Sequence, residues 1–180
     1  MNRTALSVLF LAAGVAGCSE SETIKPTEEG ELQPEISAAA LANADGENVG
    51  QVSLAQTGDQ LVLEIQVNGL AAGTKALHLH TTGACDGPDF KSAGGHLNPA
   101  DVSHGKLSET GPHLGDLPNL EIEEAGNAEV TVELAGLADE TIAQIMDADG
   151  TAVMIHAGPD DYKSDPAGAA GPRIACGVFS

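Results

Sequence analysis

Alternating apolar residues constrain the fold of this chain more than any other feature of its sequence. The stretch DQLVLEIQVNGL has apolar side chains at every second position from 61 to 67, and EVTVELAGL repeats the pattern from 130 to 134. A period of two is typical of a strand with one buried face. Asp-Gly, Thr-Gly and Asn-Gly pairs separate the apolar runs and predict tight turns. The sequence therefore predicts an all-β antiparallel sandwich or barrel, and only LADETIAQIM, residues 137–146, has some helical character.

Two long stretches interrupt the β pattern. Residues 81–119 are rich in glycine, proline, histidine and aspartate, and residues 157–171 read AGPDDYKSDPAGAAG. Long loops are uncommon in compact domains and are usually functional. We therefore expect both loops to belong to a functional site and to need a ligand that orders them.

The N-terminal residues are typical of an export signal. Arg3 precedes an apolar run from Ala5 to Ala16 that is too short to span a bilayer as a helix, and the run leads into VAGC. A positive start, an apolar middle and small residues at the end predict a secretory signal. VAGC also resembles a bacterial lipobox, so we expect residues 1–17 to be a signal peptide with a lipobox and Cys18 to be lipidated. The alternative is an ordinary signal cleaved near Ala16.

The rest of the chain divides into a tether and one domain. Residues 18–34 begin at the lipidated cysteine, are acidic and have few apolar side chains, which predicts a flexible tether. Residues 35–180 have the length of one domain. If Cys18 carries lipid, Cys85 and Cys176 remain, either as a disulfide formed in an oxidising compartment or as two unpaired buried thiols.

The histidines point to metal binding. All six lie at or between the two loops, at His78, His80, His96, His104, His113 and His156. Alternate strand residues lie on one side, about 6.5–7 Å apart, so the strand LHLH can present two imidazoles to one ion. Three imidazoles and a carboxylate such as Asp116 suit zinc, and four imidazoles suit copper. Two four-ligand sites need eight donors and only these seven candidates exist, so one histidine has to bind both ions.

Six motifs identify a family that this chain resembles. They are LHLH, AGGHLNP, HG, GPHLGDLPNL, MIHAGPDDY and the C-terminal GPRIACGV. In this order and spacing the set resembles the copper/zinc superoxide dismutases, specifically the bacterial secreted, lipoprotein type, over nearly the whole domain. The resemblance implies a Greek-key β-barrel or sandwich of immunoglobulin-like type with two long functional loops.

The resemblance also implies a role for individual residues. The expected copper ligands are His78, His80, His96 and His156. The expected zinc ligands are His96, His104, His113 and Asp116. Asp160 is expected to link a copper histidine to a zinc histidine, although Asp161 is adjacent. Cys85 and Cys176 are expected to form the disulfide, and Arg173 and His96 are expected to act in catalysis.

The implied reaction converts two superoxide anions and two protons to dioxygen and hydrogen peroxide through copper cycling, and protects the cell envelope. A net charge of −20 disfavours nucleic acid as a partner. An anionic substrate would then need a local positive field near the metal, and Arg173 and Lys163 are expected to provide it.

We expect superoxide as substrate, membrane contact through the lipid anchor only, and a monomer or homodimer. The expected location is the periplasm, on the outer membrane because Ser19 follows the lipidated cysteine. The alternatives are a non-catalytic copper carrier on the same fold and a zinc-stabilised binding module.

Overall fold

The structure is a computed structural model that describes residues 35–179. The predicted signal peptide, the lipidation site Cys18 and the tether of residues 18–34 lie outside the described residues. The elements are β1 (Ser37–Asn43), β2 (Asn48–Thr57), β3 (Gln60–Val67), β4 (Gly73–Lys75), β5 (Leu77–His80), a 3₁₀ helix (Lys91–Ala93), β6 (Leu120–Ile122), β7 (Ala128–Glu133), α1 (Ala138–Ile145), β8 (Thr151–His156) and β9 (Arg173–Phe179).

Seven strands form one antiparallel sheet in the order β5-β8-β9-β1-β2-β3-β7, and β4 pairs with β6. The three hairpin-connected strands β1, β2 and β3 have β9 beside β1, which is the order of a Greek key with a long return connection. The prediction of an all-β antiparallel Greek-key fold with two long loops is therefore confirmed.

The alternation in the sequence corresponds to the core. Leu61, Leu63, Ile65 and Val67 of β3 are all buried, and they pack in one cluster with Leu134 and other side chains. Burying such aliphatic side chains contributes about 1.5–3 kcal/mol each relative to exposure. An aliphatic core is required here because the whole chain has 2% aromatic residues.

The segment with weak helical character does form a helix, α1. Asp139 and Glu140 lie in its first turn, where negative side chains interact favourably with the helix dipole. Ala138, Thr141 and Ile145 form its buried face. Within residues 35–179 no helix is long and apolar enough to cross a bilayer.

The two predicted loops connect β5 to β6 and β8 to β9. The first contains only a short 3₁₀ helix, and the second has no regular element within the described residues. Cys85 in the first loop is bonded to Cys176 in β9, with 5.7 Å between their Cα atoms, so the predicted disulfide is confirmed. It fixes the start of the first loop to the sheet.

Candidate metal centre

Strands β5 and β8 supply three histidines to one face of the sheet. Leu77 and Leu79 of β5 point into the core, so the alternate residues His78 and His80 lie on the opposite face. In β8, which is antiparallel to β5, His156 is the last residue of the buried run Thr151–His156. All three imidazoles are at most 3% exposed.

A bulge brings His156 opposite Arg173, which is predicted to act in catalysis. In the β8–β9 pair, Ile155 lies opposite Ala175 but His156 lies opposite Arg173, which leaves Ile174 as the extra residue. Bulges of this kind redirect side chains and are common next to active sites. Here the bulge places an imidazole and a guanidinium at the same end of the sheet.

His96 of the first loop completes a cluster of four imidazoles with the three strand histidines. Its main chain forms a bridge with His80, and its ring centroid is 4.0 Å from that of His78. Nδ1 of His78 and Nε2 of His80, His96 and His156 are buried, and none has a hydrogen-bond partner within residues 35–179. These four nitrogens lie within 4.8 Å of one another. Unpaired buried polar atoms are costly, so this cluster fits a metal ion, and four imidazoles suit copper.

A second cluster forms around one carboxylate oxygen. Oδ1 of Asp116 is 2.8 Å from Nδ1 of His96, 2.9 Å from Nδ1 of His104 and 3.1 Å from Nδ1 of His113. A tetrahedral ion with bonds of about 2.0 Å holds its ligands about 3.3 Å apart, which is close to these separations. Three imidazoles and one carboxylate are a zinc ligand set. The other oxygen, Oδ2, accepts the main-chain N–H groups of Gly105 and His113.

His96 belongs to both clusters through different nitrogens. Nε2 faces the strand histidines and Nδ1 faces Asp116. The structure therefore brings all seven predicted donors together in two sets of four that share His96. This is the arrangement that the shortage of donors in the sequence requires. The assignment of a particular metal to each set stays a prediction.

In each of the other five imidazoles, the second nitrogen is hydrogen-bonded to a protein oxygen. The carbonyl acceptors and their distances are Gly94 for His80 Nδ1 at 3.0 Å, Gly171 for His156 Nδ1 at 3.1 Å, and Val102 for His113 Nε2 at 3.1 Å. A carbonyl can only accept, so these nitrogens carry the hydrogen and leave the metal-facing nitrogen with its lone pair. Such partners set the tautomer and the ring orientation of a ligand.

Asp160 supplies the acceptors for the remaining two imidazoles. Its Oδ2 is 3.1 Å from Nε2 of His78, and its Oδ1 is 2.9 Å from Nε2 of His104. One buried carboxylate thus links a histidine of the first cluster to a histidine of the second. The neighbouring Asp161 is exposed and caps the turn to Ser164 instead. The structure places Asp160, not Asp161, where the sequence predicts the linking carboxylate.

The protonation states suit metal binding. Burial lowers the pKa of His80 to about 2 and those of His96 and His156 to about 4, so these imidazoles are neutral near pH 7. Burial alone would raise the pKa of Asp160, but hydrogen bonds from His78 and His104 lower it to about 2. Neutral imidazoles and ionised carboxylates are the forms that bind metals.

A pocket of about 270 Å³ opens onto the first cluster. His80, His96, His156 and Arg173 line it together with residues of both loops, including Asp165. Arg173 is half-buried, and its Nη1 and Nη2 each donate a 2.6 Å hydrogen bond, to the carbonyls of Phe90 and Gly94 respectively. The guanidinium is therefore fixed beside the imidazoles. Lys163 is exposed and is absent from the lining of this pocket within the described residues.

Three residues of the site are missing from the predictions made from sequence. The Asn119 side chain is hydrogen-bonded to the main chain of Asp160, and Tyr162 donates its N–H to the Asp160 carboxylate. The Asn98 side chain donates to the Val102 carbonyl, which also accepts a hydrogen bond from His113 of the second cluster. All three lie inside the motifs GPHLGDLPNL, MIHAGPDDY and AGGHLNP. Their presence in these motifs, and the fact that Tyr162 is the only tyrosine of the chain, were the available signals.

Fold and site together define a class of protein, an antiparallel β metalloprotein with two adjacent metal sites that share a histidine. Comparison with known proteins agrees. The sequence profile described as "Copper/zinc superoxide dismutase (SODC)" matches residues 48–179. A relative from Aquifex aeolicus called "Superoxide dismutase [Cu-Zn] 1" is 45% identical over 143 residues, covering 78% of this chain and 85% of the relative. "Superoxide dismutase-like protein YojM" from Bacillus subtilis is 35% identical over 99% of this chain and 96% of its own length.

Solved structures give the same result. A SOD-like protein from Bacillus subtilis matches with a TM-score of 0.75 and 36% identity, covering 82% of this chain and all of that one (100%). A Cu/Zn superoxide dismutase from Brucella abortus matches with a TM-score of 0.65 and 27% identity, covering 83% of this chain and 100% of that chain. The chain belongs to the copper/zinc superoxide dismutase family. The predictions of an oxidoreductase of this family and of copper and zinc as cofactors are confirmed.

Proposed function

We propose that this protein dismutates superoxide, converting two superoxide anions and two protons to one dioxygen and one hydrogen peroxide. The observation that carries the proposal is the convergence of four unpaired buried imidazole nitrogens beside a pocket that Arg173 and three of these histidines line. His78, His80, His96 and His156 would hold copper, which would supply reversible one-electron chemistry. His96, His104, His113 and Asp116 would hold zinc, which is not redox-active and would order the first loop.

Arg173 binds and orients the anion. Two carbonyls hold its guanidinium at the pocket, so the positive charge is preorganised before superoxide arrives. The net charge of −20 repels anions at long range, but exposed charges more than about 8 Å away are largely screened at physiological salt. A local positive field can therefore raise the association rate in an acidic protein.

His96 is the group that can carry a proton to the product. Its Nδ1 is held at 2.8 Å from Asp116, while its Nε2 faces the pocket side of the site without a hydrogen-bond partner within residues 35–179. When it is not bound to copper, Nε2 is the atom that can take up a proton and give it to the reduced oxygen species. Asp160 supports this step by keeping the rings of His78 and His104 in place.

A non-catalytic copper carrier on the same fold is the second candidate, and the similarity to a "Superoxide dismutase-like protein" over 99% of the chain keeps it open. Two observations favour the enzyme. All seven donors are grouped in two four-membered clusters, and Arg173 lines the pocket. A carrier needs neither a second metal nor an anion-binding guanidinium.

Kinetics of Arg173 variants separate these two functions. Arg173→Ala should lower the second-order rate constant for superoxide at low ionic strength by about 10- to 100-fold, the range that steering can supply. Arg173→Glu should be slower still, and Arg173→Lys should be intermediate because it keeps charge but loses the planar set of donors. Pulse radiolysis on samples with equal copper and zinc content measures this, and Lys163→Gln should have a much smaller effect.

The ionic-strength dependence completes this test. Salt should narrow the difference between wild type and the alanine and glutamate variants, because screening weakens steering. Wild-type rates in both Arg173→Ala and Arg173→Glu would contradict the role of Arg173 and favour the carrier. Absence of dismutation by the fully metallated wild-type protein would contradict the proposed function itself.

We also propose that the protein acts in the cell envelope as a periplasmic lipoprotein of the outer membrane, a monomer or homodimer that does not bind nucleic acid. The support is the sequence VAGC, with Cys18 as the lipidated residue, after a signal-like segment. Cys18→Ala should abolish labelling by a radioactive fatty acid, and an inhibitor of lipoprotein signal processing should leave a larger precursor. A mature protein without lipid that starts upstream of Cys18 would show an ordinary signal.

A further inference from the structure

Tyr162, the only tyrosine of the chain, has an unusual main-chain conformation. Its φ of 61° lies in the left-handed region, which is uncommon for residues other than glycine and costly for a bulky side chain. Such a conformation persists only where surrounding contacts hold it. The contacts of Tyr162 therefore indicate which interactions stabilise this conformation.

Four contacts hold Tyr162, and three of them come from the other loop. Its hydroxyl accepts the N–H of Asn119 at 2.8 Å, its carbonyl accepts the N–H of Leu107 at 3.0 Å, and Nζ of Lys106 lies 4.0 Å from its ring centroid. The fourth is its own N–H, which donates to Oδ1 of Asp160 at 2.6 Å. Tyr162 thus joins the second loop to the first directly beside the linking carboxylate.

Asn119 continues this connection to Asp160. Its Oδ1 accepts the N–H of Asp160 at 2.8 Å, and its Nδ2 donates to the carbonyl of Asp160 at 3.0 Å. One amide side chain therefore holds both main-chain groups of Asp160, while the Tyr162 hydroxyl holds the main chain of Asn119. The carboxylate in turn bonds to His78 and His104, one from each metal cluster.

We propose that Tyr162 is a positioning residue that acts through Asn119 and Asp160 to fix the rings of His78 and His104. The inference rests on the proposed function, because it assumes that these histidines bind metal ions. Removing the hydroxyl leaves the Asn119 N–H unpaired and loosens the main chain that carries the carboxylate. Both metal clusters then change together, although Tyr162 is not one of the seven candidate metal ligands.

The test is the zinc affinity of Tyr162→Phe, measured by competition with a chelator on protein loaded with copper and zinc. Outer contacts of metal ligands typically contribute 10- to 100-fold in affinity. Because the Tyr162 hydroxyl is two contacts further out, through Asn119 and Asp160, we expect a smaller loss of about three- to tenfold. The copper electron paramagnetic resonance spectrum of the variant should also change, since the His78 ring belongs to the other cluster.

Two control variants isolate the hydroxyl. Ser92→Ala removes a hydroxyl that accepts a main-chain N–H, that of Asp86, at 2.8 Å elsewhere in the first loop. Lys106→Gln removes the cation above the ring and keeps the hydroxyl. Zinc affinity within twofold of wild type in both controls supports the proposal. A loss in Ser92→Ala equal to that of Tyr162→Phe would mean that general loosening of the loop is responsible, and an equal loss in Lys106→Gln would mean that the ring contact, not the hydroxyl, is responsible.

A double-mutant cycle with Asp160→Asn gives the decisive comparison. If Tyr162 acts through Asp160, Tyr162→Phe should have little further effect on zinc affinity in the Asp160→Asn background. An equal loss in both backgrounds, or no loss in the wild-type background, would overturn the proposal. These outcomes differ from failure of the proposed function, in which the wild-type protein itself would bind no zinc.

Discussion

The two metal clusters are built from different parts of the chain. Three of the four imidazoles of the first cluster belong to strands β5 and β8, which pair in a continuous antiparallel register. All four ligands of the second cluster lie in the loop of residues 81–119. The first, strand-borne cluster is therefore positioned by the sheet, and the second, loop-borne cluster is positioned by contacts that the loop makes with itself and with the second loop.

Because of this difference, we expect the two metals to contribute differently to stability. The main chain of the strands is hydrogen-bonded with or without a metal, so the strand histidines remain grouped in the metal-free protein. Many main-chain hydrogen bonds of the loop are local turns, such as those from Phe90 to Asp86 and from Ser108 to Gly105. The loop therefore also depends on Asp116, the disulfide and Asp160 to keep its shape. Zinc binding should therefore be coupled to ordering of the loop, while copper binding is mainly a property of the sheet. His96 transmits the effect of one cluster to the other.

Removal of a loop ligand should give the largest contrast between the clusters. His113→Ala takes away one of four zinc ligands, and structural zinc sites bind with about 10–16 kcal/mol in total, so zinc affinity should fall roughly 100- to 1,000-fold. Copper affinity should fall much less, because His113 is not in the strand-borne cluster. Isothermal titration with each metal measures this, with the exposed Glu109→Ala as control. An equal loss for both metals would show that the clusters are not separable.

Loss of the disulfide should act on the loop more than on the sheet. The double variant Cys85→Ala and Cys176→Ala should lower the free energy of unfolding by about 2–5 kcal/mol, and hydrogen exchange should increase in residues 81–119 more than in β5 and β8. Urea denaturation of the metal-free protein gives the first quantity, and reduced wild type is the matched control. A larger increase of hydrogen exchange in β5 and β8 than in residues 81–119 would contradict the view that the disulfide acts mainly on the loop.

A single methyl group should disturb the link between the clusters. Gly168 has a φ of 63°, and a Cβ atom there would overlap Oδ1 of Asp160 and lie 2.8 Å from Nε2 of His104. Gly168→Ala should lower the affinity for both metals about tenfold, the lower end of the range for outer contacts. Gly58→Ala is the matched control, because it has a φ of 58° with nothing within 4 Å of the added Cβ. Equal metal affinities in the two variants would exclude the contact as the cause.

The free energy of unfolding of the metal-free protein should fall between pH 6.5 and pH 4. Burial holds the pKa values of His96 and His156 at about 4 in the folded state, against about 6.5 when unfolded. Between pH 6.5 and 4 the unfolded chain therefore binds more protons, so stability is highest above pH 6.5 and falls as the pH drops. Each histidine contributes at most about 1.4 kcal/mol per pH unit. His156→Gln should lower the slope of unfolding free energy against pH by about one proton, and an unchanged slope would contradict this.

The sequence predicts the strand-borne half of the site better than the loop-borne half. The alternation in LHLH fixes which face His78 and His80 share, because a strand has only two faces. The role of Asp116 follows from its spacing after His113 and from the family resemblance. The contacts of Tyr162 and Asn119 could not be predicted, because they join residues more than forty positions apart across two loops without a repeating pattern. The exposed position of Lys163 likewise depends on the path of the second loop.

We propose that His96 joins two different metals in one site. Native mass spectrometry of the purified, metal-loaded protein, with dismutation measured on the same sample, tests this arrangement. We expect one copper and one zinc per chain in the active species, and loss of activity when copper is removed. A species with a single metal ion per chain and full activity would contradict it.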